Sequence, residues 1–492
     1  MLQTHPNFAP GKSQRSRKCR LVRVLAVMLS VCILTGALAE KTVAQGLPPI
    51  VADELIRAEI PADAVAVLVQ EVSGAAPVVA YNTEIPFHPA STMKLVTTYA
   101  ALELLGPSYT WKTGAYASGQ QAGDILLGDL VIKGSGDPRL VLENFWLFLR
   151  QIRASGIREI RGSLVLDRSA FEETVYDSAL FDGEPLKPYN AAPNALLLNH
   201  KALRVRFLPD EAGRTVKVAF DPAVADYVVS APRLGGGECG NWKKKLTASV
   251  DDGGARFDGE YALACGEQHW LLHPYPMTDT YYFAGLFRQM WRDLGGVFNG
   301  EVKGGKLPLG ARPVAEWTSP PLAEVIRDIN KYSNNVMARQ LFLTMAAMTF
   351  NQPANPERGS QAIRNWLAGK GIPTTGMVID NGSGLSRTER ISAATLGRML
   401  AAAFASPVMP ELISSLPLAG YDGTMRKRLR ETDVAGKAHI KTGAVKDVRA
   451  LAGYLLAASG KRYLVVCMVN HANADRSRQA QDTLLEWIYR NG

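Results

Sequence analysis

The run from Pro89 to Leu102 places Ser91 three positions ahead of Lys94 at the opening of a segment that reads as helix. Residues three apart on a helix share a face, so the hydroxyl and the amine point the same way. A serine hydroxyl is a poor nucleophile at neutral pH, and a lysine deprotonated by burial or by cationic neighbours is one of the few bases that activates it. That chemistry constrains the fold, because the helix has to be enclosed. A chain of 492 residues, 47% of them hydrophobic, has the material to enclose it, and its length points to two or three domains. Taken alone, the same spacing is also that of a serine capping a helix.

The formal charge of +9 invites a nucleic-acid reading until its location is considered. Residues 1–39 hold Lys12, Arg15, Arg17, Lys18, Arg20 and Arg23 and no acid, which leaves +3 for the remainder, an ordinary solvated surface. Those residues read as a secretory signal peptide: a basic region to Arg23, an apolar run from Val24 to Leu34, and small residues ending Ala37-Leu38-Ala39. Cleavage is expected after Ala39, with Ala44 as a second position, and an uncleaved anchor as the competing reading. Export permits a disulfide, and Cys239 with Cys265 would close a modest loop, whereas Cys467 sits in an apolar run and reads as a buried hydrophobe. No Cys and His have metal-ligand spacing, so neither metal nor other cofactor is expected.

Along the chain, a short helix from Ile50 and strands at Ala64 to Val72 and Val78 to Tyr81 precede the Ser91 helix. Strands and turns follow, among them the strand Gly162 to Asp167. A β-rich stretch from Asn199 to about His269 contains Lys243-Lys244-Lys245, which reads as a solvated loop. Helices return, including one read as continuous from Leu322 to Ala347. Three strands from Ala438, Arg449 and Arg462 and a helix from about Arg478 close the chain. Helix and hairpin at one end with three strands and a helix at the other make one antiparallel sheet with helices on its faces, and the middle becomes an insertion.

Two further triplets complete a pattern. Ser333-Asn334-Asn335 is the only Ser-x-Asn in the chain, Ser91 to Lys94 the only Ser-x-x-Lys, and Lys441-Thr442-Gly443 falls on a strand. Lys112-Thr113-Gly114 repeats the last triplet but precedes the Ser-x-Asn element, so Lys441 is preferred. The three-part set, in this order, is that of penicillin-binding proteins and serine β-lactamases. The chain resembles a class C low-molecular-mass penicillin-binding protein of the D-alanyl-D-alanine carboxypeptidase and endopeptidase type. The stretches Gly134 to Pro138, Asp380 to Arg387 and Leu416 to Thr424 carry the likeness further, as does the separation of Ser91 from Ser333 by about half the chain's length. Lys446 departs from the family pattern, which has an uncharged polar residue there.

The resemblance implies an α+β fold with a penicillin-binding, serine β-lactamase-like transpeptidase core and two inserted smaller domains. Residues 45–108 and 313–492 would form the catalytic domain, 109–198 and 270–312 an inserted α/β domain, and 199–269 a nested β-rich domain. It implies hydrolysis of peptidoglycan stem peptides or cross-links through an acyl-enzyme on Ser91, with Lys94 as base and Ser333 passing a proton to the leaving amine. Asn335 would bind the acyl-side amide, and Lys441 and Thr442 the terminal carboxylate. The N–H groups of Ser91 and Ala444 would form the oxyanion hole, and Gly443 would keep the strand clear for substrate. Asp167 is a candidate partner for an amino group of the stem peptide or else a surface turn acid, and Arg387 a candidate for a substrate carboxylate or else a structural ion pair. β-Lactams would bind covalently outside the cytoplasm, with no nucleic-acid partner and at most weak association with a membrane surface. An exported esterase or β-lactamase on the same core and a catalytically silent wall-binding protein are the alternatives.

Overall fold

The computed structural model describes residues 46–251 and 253–492, so the signal reading and Cys19 and Cys32 lie outside the described residues. Helix α1 (Pro49–Arg57) is followed by strands β1 (Val65–Glu71) and β2 (Pro77–Tyr81). A 3-10 turn (Ala90–Thr92) then leads into α2 (Met93–Leu104). Next come the hairpin β3 (Lys112–Ala122) and β4 (Ile125–Lys133), helix α3 (Leu142–Ala154) and β5 (Leu164–Asp167). The β-rich stretch supplies β6 (Leu203–Asp210), β7 (Thr215–Asp221), β8 (Leu246–Val250), β9 (Gly254–Ala262) and β10 (Gln268–Leu272). Helix α4 (Asp279–Asp293) and β11 (Arg312–Thr318) lead to α5 (Leu322–Lys331), α6 (Asn335–Phe350), α7 (Pro356–Gly369) and α8 (Ala393–Phe404). Strands β12 (Ala438–Val445), β13 (Val448–Leu456) and β14 (Arg462–Asn470) and helix α9 (Arg478–Asn491) complete the principal elements.

The two ends of the chain meet in one five-stranded antiparallel sheet of order β12-β13-β14-β1-β2. Strand β1 reads as a continuous apolar run because both its faces are covered. Ala66 and Leu68 pack with α2, α5 and α6, while Val65, Val67 and Val69 pack with α1 and α9. Helix α2 lies inside the first of these cores, with every residue from Met93 to Leu102 buried. At roughly 25 cal/mol per Å² of apolar surface removed from water, that face of the sheet is the main stabilising term around the site.

The intervening chain builds its own sheets. Strands β3 and β4 pair antiparallel, β5 runs parallel to β4, and β11 returns to pair with β3, with Thr318 opposite Lys112. The two ends of this intervening stretch therefore lie side by side. Ser319 N donates to Trp111 O at 3.0 Å, and Leu322 N to Tyr109 O at 2.8 Å. Strand β11 belongs to the same sheet as β3 and β4. In the β-rich stretch, β6, β7 and β10 form one sheet and β8 and β9 part of a second, around Phe207, Trp242, Phe257 and Tyr261. Cys239 and Cys265 are disulfide-bonded at the rim of this core, and Cys467 is buried on β14. The three lysines of the basic run are exposed on a 3-10 turn, with the Lys243 amine 5.4 Å from the Trp242 ring centroid and Lys245 donating to Glu238 O.

One expected element divides. The helix read from Leu322 to Ala347 is two, α5 and α6, broken where Ser333 takes φ +57° and Asn334 caps α6 by accepting from Met337 N at 3.1 Å. Apolar residues run through the break, because the first helix buries Leu322, Val325, Ile326 and Ile329 and the second is buried continuously from Val336 to Ala346. Among the described residues no helix is long and apolar enough to cross a membrane.

Candidate active site

Ser91 sits on the 3-10 turn ahead of α2, and its side chain caps nothing. The turn is held in an unusual shape, with Ala90 at φ +45°. Such a conformation persists only where its surroundings enforce it. Thr92 Oγ1 donates back to Pro89 O at 2.7 Å, and His88 Nδ1 accepts from Ala90 N at 3.0 Å. The His88 ring is buried, which lowers its pKa, so it is neutral with its proton on Nε2, donating to Ser386 O at 2.6 Å. Gly384, at φ +79°, presses on the same turn: a Cβ there would lie 1.9 Å from Ala90 O.

Lys94, 0% exposed, places Nζ 3.0 Å from Ser91 Oγ. The same nitrogen meets Asn335 Oδ1 at 2.5 Å and the Ser383 carbonyl. Burial first, then the Lys441 charge, holds the Lys94 pKa well below its ordinary value. A neutral amine then has two N–H bonds for Asn335 and Ser383 and a lone pair facing the Ser91 hydroxyl. This is the arrangement a general base needs.

Lys441, also 0% exposed, donates to Ser333 Oγ at 2.9 Å and Thr442 O at 2.8 Å, and burial lowers its pKa to about 7. Strand β12 is the edge of the sheet. Ala438 O and Ile440 N bond outward to Ala419 N and Pro417 O, so by strand alternation the N–H groups of Thr442 and Ala444 face the open edge. Gly443 is required for a reason other than clearance for substrate. A Cβ there would lie 2.9 Å from Pro89 O and 3.0 Å from Ser91 N, so the bare backbone lets the strand abut the nucleophile turn.

The other candidates fall differently. Lys112, the competing triplet, is exposed on β3 and paired with Glu316 at 2.5 Å. Asp167 is 1% exposed, so it is not a surface turn acid. Its oxygens accept from Ser169 N and Leu307 N at 2.9 and 2.8 Å, which orients the carboxylate and pins two loops. Arg387 forms no ion pair among the described residues; it donates to Phe181 O at 2.9 Å, its guanidinium 4.4 Å from the Phe181 ring centroid. Lys446 is exposed at the β12–β13 turn.

Sequence reasoning missed His88, whose role depends on chain segments far apart, and Glu389. Glu389 is fully buried, and its Oε1 accepts from the N–H groups of Asn381 and Gly382 at 3.1 and 3.0 Å, fixing the turn that aims the Ser383 carbonyl at Lys94. Its Oε2 has no partner, and burial pushes the carboxyl up to about 7. In the unfolded chain the group ionises near 4.5, so its contribution to stability is full below that pH and is lost as pH rises through about 7. Glu389→Gln, which cannot ionise, is therefore expected to gain in melting temperature relative to the parent as pH goes from about 5 to 8. A gap that is constant with pH contradicts this assignment.

Fold and site together define a serine hydrolase of the penicillin-binding type, with Ser91, Lys94 and Asn335 joined by hydrogen bonds and Ser333 bonded to Lys441 on the edge strand. The model of the D-Ala-D-Ala carboxypeptidase 3 (S13) family matches residues 49–491. The chain belongs to that family and is a serine-type D-Ala-D-Ala carboxypeptidase, within the class C low-molecular-mass penicillin-binding proteins. It is 26% identical over 397 residues to D-alanyl-D-alanine carboxypeptidase DacB of Haemophilus influenzae, covering 79% of this chain and 82% of that one. It is 28% identical over 425 residues to the D-alanyl-D-alanine carboxypeptidase of Actinomadura sp. (strain R39), covering 78% and 73%. The crystal structure of penicillin binding protein 4 from Haemophilus influenzae superposes with a TM-score of 0.77 at 24% identity, over 89% of this chain and 99% of that chain. The same fold has been solved for that protein complexed with a β-lactam.

Proposed function

We propose that the protein, outside the cytoplasm, cleaves the D-Ala-D-Ala bond of peptidoglycan stem peptides and the equivalent bond of cross-links, and that β-lactams acylate it at Ser91. The observation that carries the reading is the Lys94 amine held 3.0 Å from Ser91 Oγ with its other contacts already satisfied. Lys94 takes the hydroxyl proton as Oγ attacks the carbonyl carbon. The oxyanion forms against the N–H groups of Ser91 and Ala444, each worth on the order of 3 kcal/mol in comparable sites. Ser333, bonded to Lys441, passes a proton to the departing amine, and water then hydrolyses the ester. Asn335, its Oδ1 engaged by Lys94, offers its Nδ2 to the acyl-side amide. Thr442 and Lys441 receive the terminal carboxylate.

A β-lactam presents a strained amide beside a carboxylate, so the same groups accept it, and the opened ring stays attached and hinders deacylation. Export rests on the signal-like sequence of residues 1–39. The test is mass spectrometry of the protein after incubation with benzylpenicillin, together with assay of D-Ala release from an acyl-D-Ala-D-Ala tripeptide. The expected result is one ester, on the tryptic peptide holding Ser91, and measurable release. A label elsewhere, or none on folded protein, overturns the reading.

A further inference from the structure

A groove of about 620 Å³ opens beside the outer edge of β12 and runs from Thr442 toward the first turn of α9. Its charge is one-sided. Arg426, Lys427, Arg428, Arg449 and Arg478 line it, against Asp475 alone. Two of these cations are already committed: Arg428 to Asp482 at 2.7 Å, and Arg449 to Asp475 and the carbonyls of Val445 and Val448. Arg478 comes no closer than 4.0 Å to Asp482. Arg426 and Lys427 are exposed and have no ion-pair partner among the described residues.

A second observation is independent of charge. Gln481 lines the groove and is 3% exposed, yet its Nε2 has no hydrogen-bond partner. A buried donor left unmade costs about 1–3 kcal/mol, so such a group is retained where something else meets it. Unpaired cations together with an unmet amide donor describe a receptor for carboxylate and carbonyl oxygens.

The position of the groove says which part of a substrate reaches it. Thr442 is both its inner wall and, in the reading above, the residue that receives the carboxylate next to the scissile bond. Thr442 Oγ1 donates to Thr424 Oγ1 at 2.7 Å, which ties the catalytic strand to the groove's near side. Whatever extends past the leaving residue therefore enters among Arg426, Lys427 and Arg478.

We propose that this groove is a leaving-strand subsite that binds a peptide segment bearing further carboxylates beyond the scissile bond, as the second stem of a cross-link does. The inference rests on the proposed peptidase reading and deepens it: the site is built for cross-link cleavage as well as for release of a single terminal residue. A lone D-Ala leaves the groove empty, so the cationic wall raises the specificity for one substrate over the other rather than the chemical rate.

The experiment compares the full-length parent with the double variant Arg426→Gln, Lys427→Gln on two substrates, a purified cross-linked muropeptide dimer and an acyl-D-Ala-D-Ala tripeptide. The ratio of kcat/KM values, dimer over tripeptide, is expected to fall about tenfold, corresponding to roughly 0.7 kcal/mol per charge. The loss is expected in KM, and to shrink as salt rises from about 0.05 to 0.3 M. Gln481→Ala, checked by melting for intact fold, is expected to lower the same ratio without the salt dependence. An unchanged ratio overturns the proposal, as does an equal loss on both substrates. Binding of a polyglutamate probe that weakens in the variant while the ratio stays fixed also overturns it, by showing a general polyanion surface. Failure of the peptidase reading itself would look different, as absence of the Ser91 ester in the parent protein.

Discussion

Ser91→Ala is expected to abolish covalent penicillin labelling and to lower turnover of an acyl-D-Ala-D-Ala tripeptide by about a millionfold, the scale seen when a serine hydrolase loses its nucleophile. Oγ is the only atom positioned against Lys94 for attack. The other hydroxyl of the cleft, Ser333 Oγ, faces Lys441 at 2.9 Å from the opposite wall. The fold survives, because Ser91 caps no helix and its loss removes a single contact with Lys94, a change of about 1 kcal/mol. The variant is expected to melt within a few degrees of the parent while mass spectrometry finds no adduct. An ester on Ser333 in the variant contradicts the division of roles.

Lys94→Ala is expected to slow acylation by about a hundredfold to ten-thousandfold, the usual contribution of a positioned base. The pH profile tests the electrostatics behind it. For the parent, kcat/KM is expected to rise with pH as Lys94 sheds its proton, then to fall above about 7 as Lys441 loses the charge proposed to receive the carboxylate. The Lys441 charge lowers the Lys94 pKa, so in Lys441→Met the acidic limb moves to higher pH while the basic limb disappears. Burial alone would leave the acidic limb where it was. Stopped-flow acylation across about pH 5 to 9 separates the two causes.

The side chains gathered around Ser91 were legible because each lies in a short run whose spacing matches its element. Ser91 and Lys94 lie three apart across the 3-10 turn into α2, and Lys441, Thr442 and Gly443 lie on a strand. What holds them was not legible. The Ser383 carbonyl, the His88 ring, Gly384 and the Glu389 carboxylate act through backbone atoms or across long separations, and no local period marks them. The same limit explains the helix read through Ser333: apolar spacing records which side is buried, not where one residue turns left-handed. It also explains Gly443, whose need for a bare backbone comes from the Ser91 turn packed on it. The cationic groove gathers Arg426 and Arg478 from segments that are neighbours only in space.

The five-stranded sheet has a consequence for how the protein is made. Strand β1 pairs along its whole length with β14, Val65 opposite Val469, so the sheet's centre joins nearly the first and last described strands. Contacts of such sequence separation form late, since the intervening chain must first be ordered. The inserted sheets have no such dependence, with partners drawn from within residues 112–318. A chain emerging from its N-terminus can order its middle while Ser91 waits for Lys441 to arrive on β12. Activity is thus expected to mark completion of the chain, because the sheet that carries Lys441 closes on β1 only once β14 has arrived.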